Sequence, residues 1–229
     1  MALYALGDLH LSLGCSKPMD VFGGAWTGYM DKLRAGLACI RPEDTTVLLG
    51  DLSWALGLDA AEADFAFINA IPGRKIILKG NHDYWWTTAA KFYRFCGEHG
   101  FSGMELLHNN CYFYGDIALC GTRGWFYEEE RSGEHDGKVF RRELMRLEAS
   151  LRAAQGREIW CFLHYPPLYR GYTCPEILAL LKTYGVRRCC YGHLHSDSHR
   201  LALTGFHGGC EFLLCSADYV NFTPVRLLD

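Results

Sequence analysis

Five short segments of the sequence place metal-binding or acid–base side chains directly after apolar runs. They read GDLH (7–10), GDLSW (50–54), GNHD (80–83), FLHY (162–165) and GHLH (192–195). Together they offer imidazoles, carboxylates and an amide carbonyl, a mixed nitrogen and oxygen set that suits Mn²⁺, Fe or Zn²⁺ and not a thiolate site. A single metal would leave several of these side chains unused, so the pattern favours two metals.

The apolar runs before these segments predict buried strands, and several of the intervals between them predict helices. Apolar residues keep helical spacing over residues 30–40, and Asp59-Ala60-Ala61-Glu62 is a capping-box pattern that predicts a helix start. In α/β proteins, ligands bind beyond the carboxyl ends of parallel strands. We therefore expect the five segments to converge on one crevice, although they lie far apart in the sequence.

The spacing within two of the segments supports this convergence. Residues i and i+2 of an extended segment point to the same side, so Asp8 and His10 are expected to present two side chains to one point, as are His193 and His195. A single pair of this kind is commonly a turn or a satisfied polar pair, but the occurrence of all five polar segments in order is poorly explained by chance. The histidines outside the segments are expected to be surface or packing residues: His99, His108, His135, His199 and His207.

The remainder of the chain predicts a second, more antiparallel sheet. Residues 111–125 read as a hairpin that turns at Gly115-Asp116, and residues 201–228 contain two or three further strands. Residues 126–150 combine a charged loop with an amphipathic helix, a pattern typical either of a lid above a site or of an ordinary peripheral helix. The 229 residues contain no linker or repeat, so we expect one domain over 1–229.

Composition limits the cellular setting and the partners. The formal net charge of −3 gives no general attraction for nucleic acid or anionic lipid, so nucleic acid is not an expected partner. The eleven cysteines are odd in number and contain no Cys-x-x-Cys pair, which is typical of reduced core residues. With no basic leader and no apolar stretch of bilayer length, we expect a cytoplasmic protein without a membrane partner. No pattern predicts an oligomeric state.

Taken in order, the five segments resemble the calcineurin-like metallophosphoesterase superfamily, whose pattern runs Asp-x-His, Gly-Asp, Gly-Asn-His-Asp/Glu, His and Gly-His-x-His. Every element is present between residues 8 and 195. The resemblance implies an α/β fold, a four-layer αββα sandwich of two mixed β-sheets flanked by helices, with a two-metal centre between the sheets. It implies a hydrolase of small phosphate mono- or diesters, with a phosphodiesterase slightly favoured.

The resemblance also assigns the metal ligands. One metal would be held by Asp8, His10, Asp51 and His195, and the other by Asn81, His164, His193 and the shared Asp51. A bridging carboxylate holds two cations about 3.5–4 Å apart, which lowers the pKa of a water between them for in-line attack on phosphorus. The two ions would be divalent or trivalent transition metals, namely Mn, Fe or Zn.

The GNHD segment carries two further expectations. In the resembled family, the position of His82 lies near the leaving group, where an imidazolium can donate a proton or stabilise the transition state. Asp83 would either orient His82 or have a plain structural role such as capping the next segment.

Three residues are candidates for substrate contact. Arg123 in GTRGW could bind phosphate oxygens through its guanidinium, with an ion pair as the alternative. Trp54 and Trp85 could wall the pocket and stack on a base or aryl group, with packing between loops and core as the alternative. The resembled Ser/Thr phosphatases carry Gly-Asp-x-x-Asp-Arg-Gly, whereas residues 50–56 read GDLSWAL, which disfavours a phosphoprotein substrate.

Two other functions stay open alongside the hydrolase. A non-catalytic protein-binding scaffold on the same fold would typically have lost a metal ligand or the histidine at position 82, and this chain keeps them all. A nuclease would share the site chemistry but would usually need a basic strip, of which Arg141-Arg142 is the only hint.

Overall fold

The computed structural model describes residues 1–125 and 134–229 of the chain. The strands of this part are β1 (Leu3–Leu6), β2 (Thr45–Leu48), β3 (Arg74–Ile77), β4 (Met104–Leu106), β5 (Cys111–Tyr114), β6 (Ile117–Thr122), β7 (Glu158–Leu163), β8 (Leu168–Tyr169), β9 (Tyr172–Thr173), β10 (Arg188–Tyr191), β11 (Gly205–His207), β12 (Cys210–Leu214) and β13 (Val225–Leu228). The α-helices are α1 (Tyr29–Leu37), α2 (Glu62–Ala70), α3 (Ala89–Glu98), α4 (Glu134–Arg152) and α5 (Pro175–Thr183).

Two mixed sheets contain most of the strands. A five-stranded sheet has the order β13-β1-β2-β3-β4, in which β13 pairs antiparallel with β1 and the other pairs are parallel. A six-stranded sheet has the order β11-β12-β10-β7-β6-β5, with antiparallel pairs at both edges and parallel pairs between them. In both sheets, the central parallel strands therefore direct their carboxyl ends to one edge.

Alternation of side chains along the strands builds the layers. In β1, Leu3 and Ala5 pack into a core between the two sheets, whereas Tyr4 and Leu6 pack against the helices of the first sheet. The core between the sheets also contains side chains from the second sheet, such as Phe162. Helices α1, α2 and α3 cover the outer face of the five-stranded sheet, and α4 and α5 cover that of the six-stranded sheet. The protein is thus the expected four-layer αββα sandwich.

Several predicted elements are confirmed. The hairpin of β5 and β6 turns at residues 115–116, and residues 201–228 form three strands. Of these, β11 and β12 belong to the second sheet as expected, whereas β13 pairs with β1 in the five-stranded sheet. The capping-box prediction is wrong, because α2 begins at Glu62 after a 3-10 turn at Asp59–Ala61, with Ala61 at the N-cap and no capping side chain. All cysteines are free, and most are buried.

Helix α4 packs onto the second sheet. Its residues Leu147 and Leu151 are buried in the core of that sheet, which fits the peripheral-helix alternative for this part of the chain. The charged loop at residues 126–133 lies outside the described residues. None of the helices in the described ranges combines the length and the apolar character needed to cross a bilayer.

Candidate metal centre

The candidate ligands follow the carboxyl ends of strands in both large sheets. They follow β1 (Asp8, His10), β2 (Asp51), β3 (Asn81), β7 (His164) and β10 (His193, His195). The first three strands belong to the five-stranded sheet and the last two to the six-stranded sheet. The predicted convergence of the five segments is therefore present.

The side chains form two donor sets. The first set is Asp8, His10 and His195, and the second is Asp51, His164 and His193; within each, the potential ligand atoms lie within 4.8 Å of one another. In the first set, His195 Nε2 lies 3.3 Å from His10 Nε2 and 3.5 Å from Asp8 Oδ1. Each set combines residues from the two sheets, so each depends on the packing of one sheet against the other.

Asp51, a member of the second set, also approaches the first. Its Oδ2 is 3.6 Å from His164 Nε2 of the second set and 3.9 Å from His10 Nε2 of the first. Asn81 joins the second set, because its Oδ1 is 2.7 Å from His164 Nε2. One carboxylate oxygen thus approaches potential ligand atoms of both sets.

Unusual backbone conformations position several of these side chains. Asp8, His10, Asp51 and His193 have φ values of 62°, 47°, 50° and 72°, in the left-handed region that side chains other than glycine rarely adopt. Such strain persists where the surroundings fix it, and it clusters at functional sites. Here the backbone N–H of Asp8 donates to the carbonyl of Gly50 (2.9 Å), and that of His10 to the carbonyl of Asp51 (2.9 Å).

These conformations correct the geometric argument from spacing. His193 belongs to the second donor set and His195 to the first, so the expectation that this pair meets at one point is wrong. Asp8 and His10 do share a set, but they reach it from left-handed backbone and not from an extended segment.

Two motif glycines leave room for the carboxylates. A Cβ at Gly80 would lie 2.0 Å from Asp51 Oδ1, and a Cβ at Gly192 would lie 2.6 Å from Asp8 Oδ2. Both distances are far below van der Waals contact, so any larger residue would displace the adjacent aspartate. The glycines of GNHD and GHLH are therefore required by the close approach of these side chains.

The polar atoms of the site fit bound cations. Asp8 Oδ1 and Asp51 Oδ2 are buried and accept no hydrogen bond from any described residue, an arrangement that is costly for a carboxylate. His164 Nδ1 lies 3.0 Å from the carbonyl oxygen of Leu49 and is therefore its donor, which directs the lone pair of Nε2 at the Asn81 oxygen. Cations would satisfy both carboxylate oxygens and the opposed lone pairs of His164 Nε2 and Asn81 Oδ1.

Burial keeps most of the imidazoles neutral. It lowers the pKa of His10 and His164 below the ordinary value and that of His193 to about 3. Neutral imidazoles keep the lone pair that a metal needs. Burial also raises the pKa of Asp51 well above its ordinary value, with the charges of Asp83 and Asp8 adding to the effect. Cations at this position would favour the ionised form of that carboxylate.

His195 differs from the other imidazoles because of a carboxylate that the sequence analysis missed. Burial alone would lower the pKa of His195, but the carboxylates of Asp8 and Asp218 raise it to about 10. Asp218 Oδ1 accepts from His195 Nδ1 at 2.9 Å, which leaves Nε2 facing the first donor set. His199, predicted to be a surface or packing residue, has Nε2 at 3.3 Å from Asp218 Oδ2. The position of Asp218 just after β12, at the same sheet edge, was the available signal.

His82 and Asp83 occupy different surroundings. The His82 ring is half-buried beside the first donor set, with its centroid 5.9 Å from that of His10 and 4.5 Å from that of Trp54. Burial, followed by the charges of His164 and Lys17, lowers the pKa of His82 to about 4. The expected imidazolium is therefore disfavoured, and the ring is neutral near pH 7.

Asp83 is buried and accepts hydrogen bonds from backbone and indole donors. Its partners are the backbone N–H groups of Asp51 (2.8 Å), Leu52 (2.8 Å), Ser53 (3.4 Å) and Gly80 (2.7 Å), and the Trp85 indole (2.8 Å). These contacts favour a structural role for Asp83 over one in orienting His82, because they connect the segment after β2 to the segment after β3.

The candidate substrate residues separate into three environments. Trp54 is half-buried and stacks on His10 with centroids 4.9 Å apart, at the side of the donor sets. Trp85 is only 2% exposed and packs on Phe65, with centroids 4.7 Å apart, so it belongs to the core and not to a pocket wall. Arg123 is half-buried and lines a cavity beside the second donor set.

Comparisons with solved structures show the same fold in distant proteins. The structure of AQ665, a protein of unknown function from Aquifex aeolicus, aligns with a TM-score of 0.53 and 16% identity, over 98% of this chain and 95% of that one. The phosphopantetheinyl hydrolase PptH from Mycobacterium tuberculosis aligns with a TM-score of 0.54 and 15% sequence identity, over 99% of this chain and 95% of that one. TT1561 of Thermus thermophilus aligns with a TM-score of 0.56 and 14% sequence identity, over 99% of this chain and 97% of that one.

Sequence comparison identifies the family. A search of curated proteins finds no match. The family model of the calcineurin-like phosphoesterases matches residues 1–197, a range that includes all five polar segments and both donor sets. The chain belongs to the calcineurin-like phosphoesterase family.

Proposed function

We propose that the protein is a metal-dependent phosphohydrolase that cleaves a phosphate mono- or diester at a dinuclear centre. The observation that carries this proposal is the position of Asp51, whose unpartnered Oδ2 lies between two donor sets. A scaffold would have no use for a buried, unpaired carboxylate of this kind, which costs free energy unless a cation satisfies it.

The chain's own residues would hold two ions. Asp8, His10 and His195 would hold one, Asn81, His164 and His193 the other, and Asp51 both. When bound, two such ions, whether Mn, Fe or Zn, lower the pKa of a water between them and neutralise phosphate oxygens. The hydrogen bonds of His164 to Leu49 and of His195 to Asp218 fix which imidazole nitrogen faces the centre.

His82 would assist the leaving group. It lies outside both donor sets but within ring contact of His10, at the edge of the centre. Since its pKa of about 4 makes it neutral near pH 7, its contribution would be an N–H hydrogen bond to the departing oxygen as negative charge develops there. The buried Nδ1 of His82 has no partner among the described residues, so the ring can rotate toward a substrate without breaking a hydrogen bond at that atom.

Trp54 would form one wall for the organic part of the substrate. Its indole packs on both His10 and His82, and Lys17 Nζ lies 3.4 Å from the ring centroid. An aryl group or base entering beside His82 would meet this indole, whereas Trp85 is covered by the core.

Hydrolysis of an aryl phosphodiester and of the matching monoester tests the proposal. The protein is stripped of metal and reloaded with Mn²⁺, metal content is measured by elemental analysis, and Asp51→Asn is the control. Turnover that is lost in Asp51→Asn supports a metal-dependent hydrolase, and the preferred ester identifies it as a phosphodiesterase or a phosphatase. The proposal would be contradicted by protein that binds no metal, or by turnover of the two esters that Asp51→Asn leaves unchanged.

A further inference from the structure

A cavity of about 820 Å³ lies at the carboxyl ends of β3, β4 and β6, outside the two donor sets. Its described lining includes three cationic side chains, Lys79, Arg123 and Arg146, together with His108. Glu143 is the only carboxylate among the lining residues within the described ranges. The described lining therefore carries an excess of positive charge in a protein whose net charge is −3.

The one carboxylate is already engaged. Glu143 is 2% exposed; its Oε1 accepts a hydrogen bond from the Thr122 hydroxyl and its Oε2 one from Arg146 Nη1 at 3.1 Å. By contrast, Arg123 Nε is buried and has no hydrogen-bond partner among the described residues. Within the described part of the chain, Arg123 therefore keeps a buried, unsatisfied donor beside the cavity.

The cations are close enough to influence one another. Burial lowers the pKa of His108, and the charges of Arg146, Lys79 and Arg123 act in the same direction, whereas the charge of Glu143 opposes them. Partly buried cations in such proximity repel one another, and an anion between them would relieve the repulsion.

The cavity adjoins the second donor set through the backbone. Lys79 precedes Asn81 by two residues, and the carbonyl oxygen of Arg123 accepts from the backbone N–H groups of His164 (3.1 Å) and Tyr165 (2.9 Å). Asn81 and His164 themselves meet at 2.7 Å. The cavity therefore lies beside the second donor set.

We propose that the cavity lined by Lys79, Arg123 and Arg146 is a binding site for a second phosphate group of the substrate. This inference rests on the proposed function and narrows the substrate class to small organic molecules with two phosphate groups, of which only the one at the donor sets is cleaved. Among the described lining residues, three cations against one engaged carboxylate match a dianion, and guanidinium groups bind phosphate oxygens in a fork. Trp86, which also lines the cavity, offers an apolar surface to the spacer between the phosphates.

Binding of non-hydrolysable analogues tests this site without requiring turnover. Calorimetry on the manganese-loaded protein compares alkane-α,ω-bisphosphonates of two to six methylenes with the matching alkylphosphonates. For the best spacer, the bisphosphonate should bind about tenfold more tightly than the monophosphonate. Arg146→Met and Lys79→Met should each bring the ratio of the two dissociation constants close to one. Arg142→Met removes the same charge from an exposed position on the same helix and should leave the ratio unchanged.

The outcomes separate this inference from the proposed function, since aryl ester hydrolysis is measured on the same preparations. Turnover of aryl esters with no preference for any bisphosphonate would overturn the second-phosphate site and leave the phosphohydrolase intact. A bisphosphonate preference that survives both substitutions would also overturn it. A preference that both substitutions abolish, in protein that hydrolyses no ester, would support the site and contradict the proposed function. If circular dichroism shows that Arg146→Met does not fold, the ratio of dissociation constants measured for Lys79→Met alone tests the site.

Discussion

The carboxylate of Asp83 accepts a hydrogen bond from the backbone N–H of Asp51 at 2.8 Å. The same oxygen, Oδ2, accepts from the backbone N–H of Gly80 at 2.7 Å. One buried side chain thus joins the segment that carries the central carboxylate to the segment that carries Asn81 and His82. Asp83 acts on the candidate centre through other residues and is a positioning residue.

Asp83→Asn should therefore lower stability and metal affinity together. The amide would place a donor where the carboxylate accepts from backbone N–H groups, so the free energy of unfolding should fall by about 3 kcal/mol. Urea denaturation followed by circular dichroism measures this change, and elemental analysis measures the metal content. If stability and metal content stay unchanged while turnover falls, Asp83 orients His82 and this assignment is wrong.

Gly192→Ala should remove metal from the first donor set. The new Cβ would lie 2.6 Å from Asp8 Oδ2 and would displace that carboxylate. We expect metal content to fall from two ions per chain to about one, measured after dialysis by elemental analysis. Gly97→Ala is the matched control, because a Cβ there meets nothing within 4 Å, and it should retain both ions. Full metal content in Gly192→Ala would show that the site tolerates the displacement.

His82→Ala should reduce turnover without changing metal content. Loss of a hydrogen bond to the leaving oxygen should lower kcat by about 10²–10³-fold for an alkyl ester, and by less for a nitrophenyl ester, whose leaving group needs little assistance. Steady-state kinetics with both esters measure the difference, and His207→Ala, at an exposed histidine on β11, is the control. An equal loss with both leaving groups would contradict this role.

Metal binding by the stripped protein should release protons. The carboxylates of Asp8 and Asp218 overcome the effect of burial and raise the pKa of His195 to about 10, so at pH 7.5 this imidazole is protonated and must lose its proton to bind a metal. Titration calorimetry with Mn²⁺ in buffers of different ionisation enthalpy counts the protons. Asp218→Asn removes one of the two carboxylates, lowers that pKa and should reduce the number released. An unchanged number would mean that Asp218 does not control the protonation of His195.

The two tryptophans should respond differently to substitution. Trp54→Ala should raise KM for an aryl ester several-fold with a small effect on stability, since the side chain is half-buried beside His10 and His82. Trp85→Ala should lower the free energy of unfolding by about 3–5 kcal/mol, because it empties a core position and removes a donor to Asp83. Kinetics and urea denaturation on both variants distinguish the two roles.

Much of the fold and the convergence of the candidate ligands could be predicted, because each polar segment directly follows an apolar run. Parallel strands direct their carboxyl ends to one edge, so Asp8, Asp51 and His164 had to approach one another once the strands were recognised. The assignment of His193 and His195 to different donor sets could not be predicted from alternation, since it depends on the left-handed backbone at His193.

Other parts of the site depend on packing between distant segments. Asp218 contacts His195 across 23 positions only because β12 pairs with β10. The cavity that contains Lys79 and Arg146 exists because α4 packs on the second sheet, and neither residue belongs to a local pattern. The sequence does not distinguish the two alternative roles of Asp83, because its hydrogen-bond donors come from loops whose course the sequence does not specify.

The division of each donor set between the two sheets has a consequence for folding. Asp8 and His10 require His195, and Asp51 requires His164 and His193, so neither set exists in a chain that has formed only one sheet. The free energy of metal binding would therefore be available only to the fully assembled sandwich, and it would make the two halves unfold as one cooperative unit. Metal loading should therefore slow amide hydrogen exchange both in β1 of the first sheet and in β10 of the second.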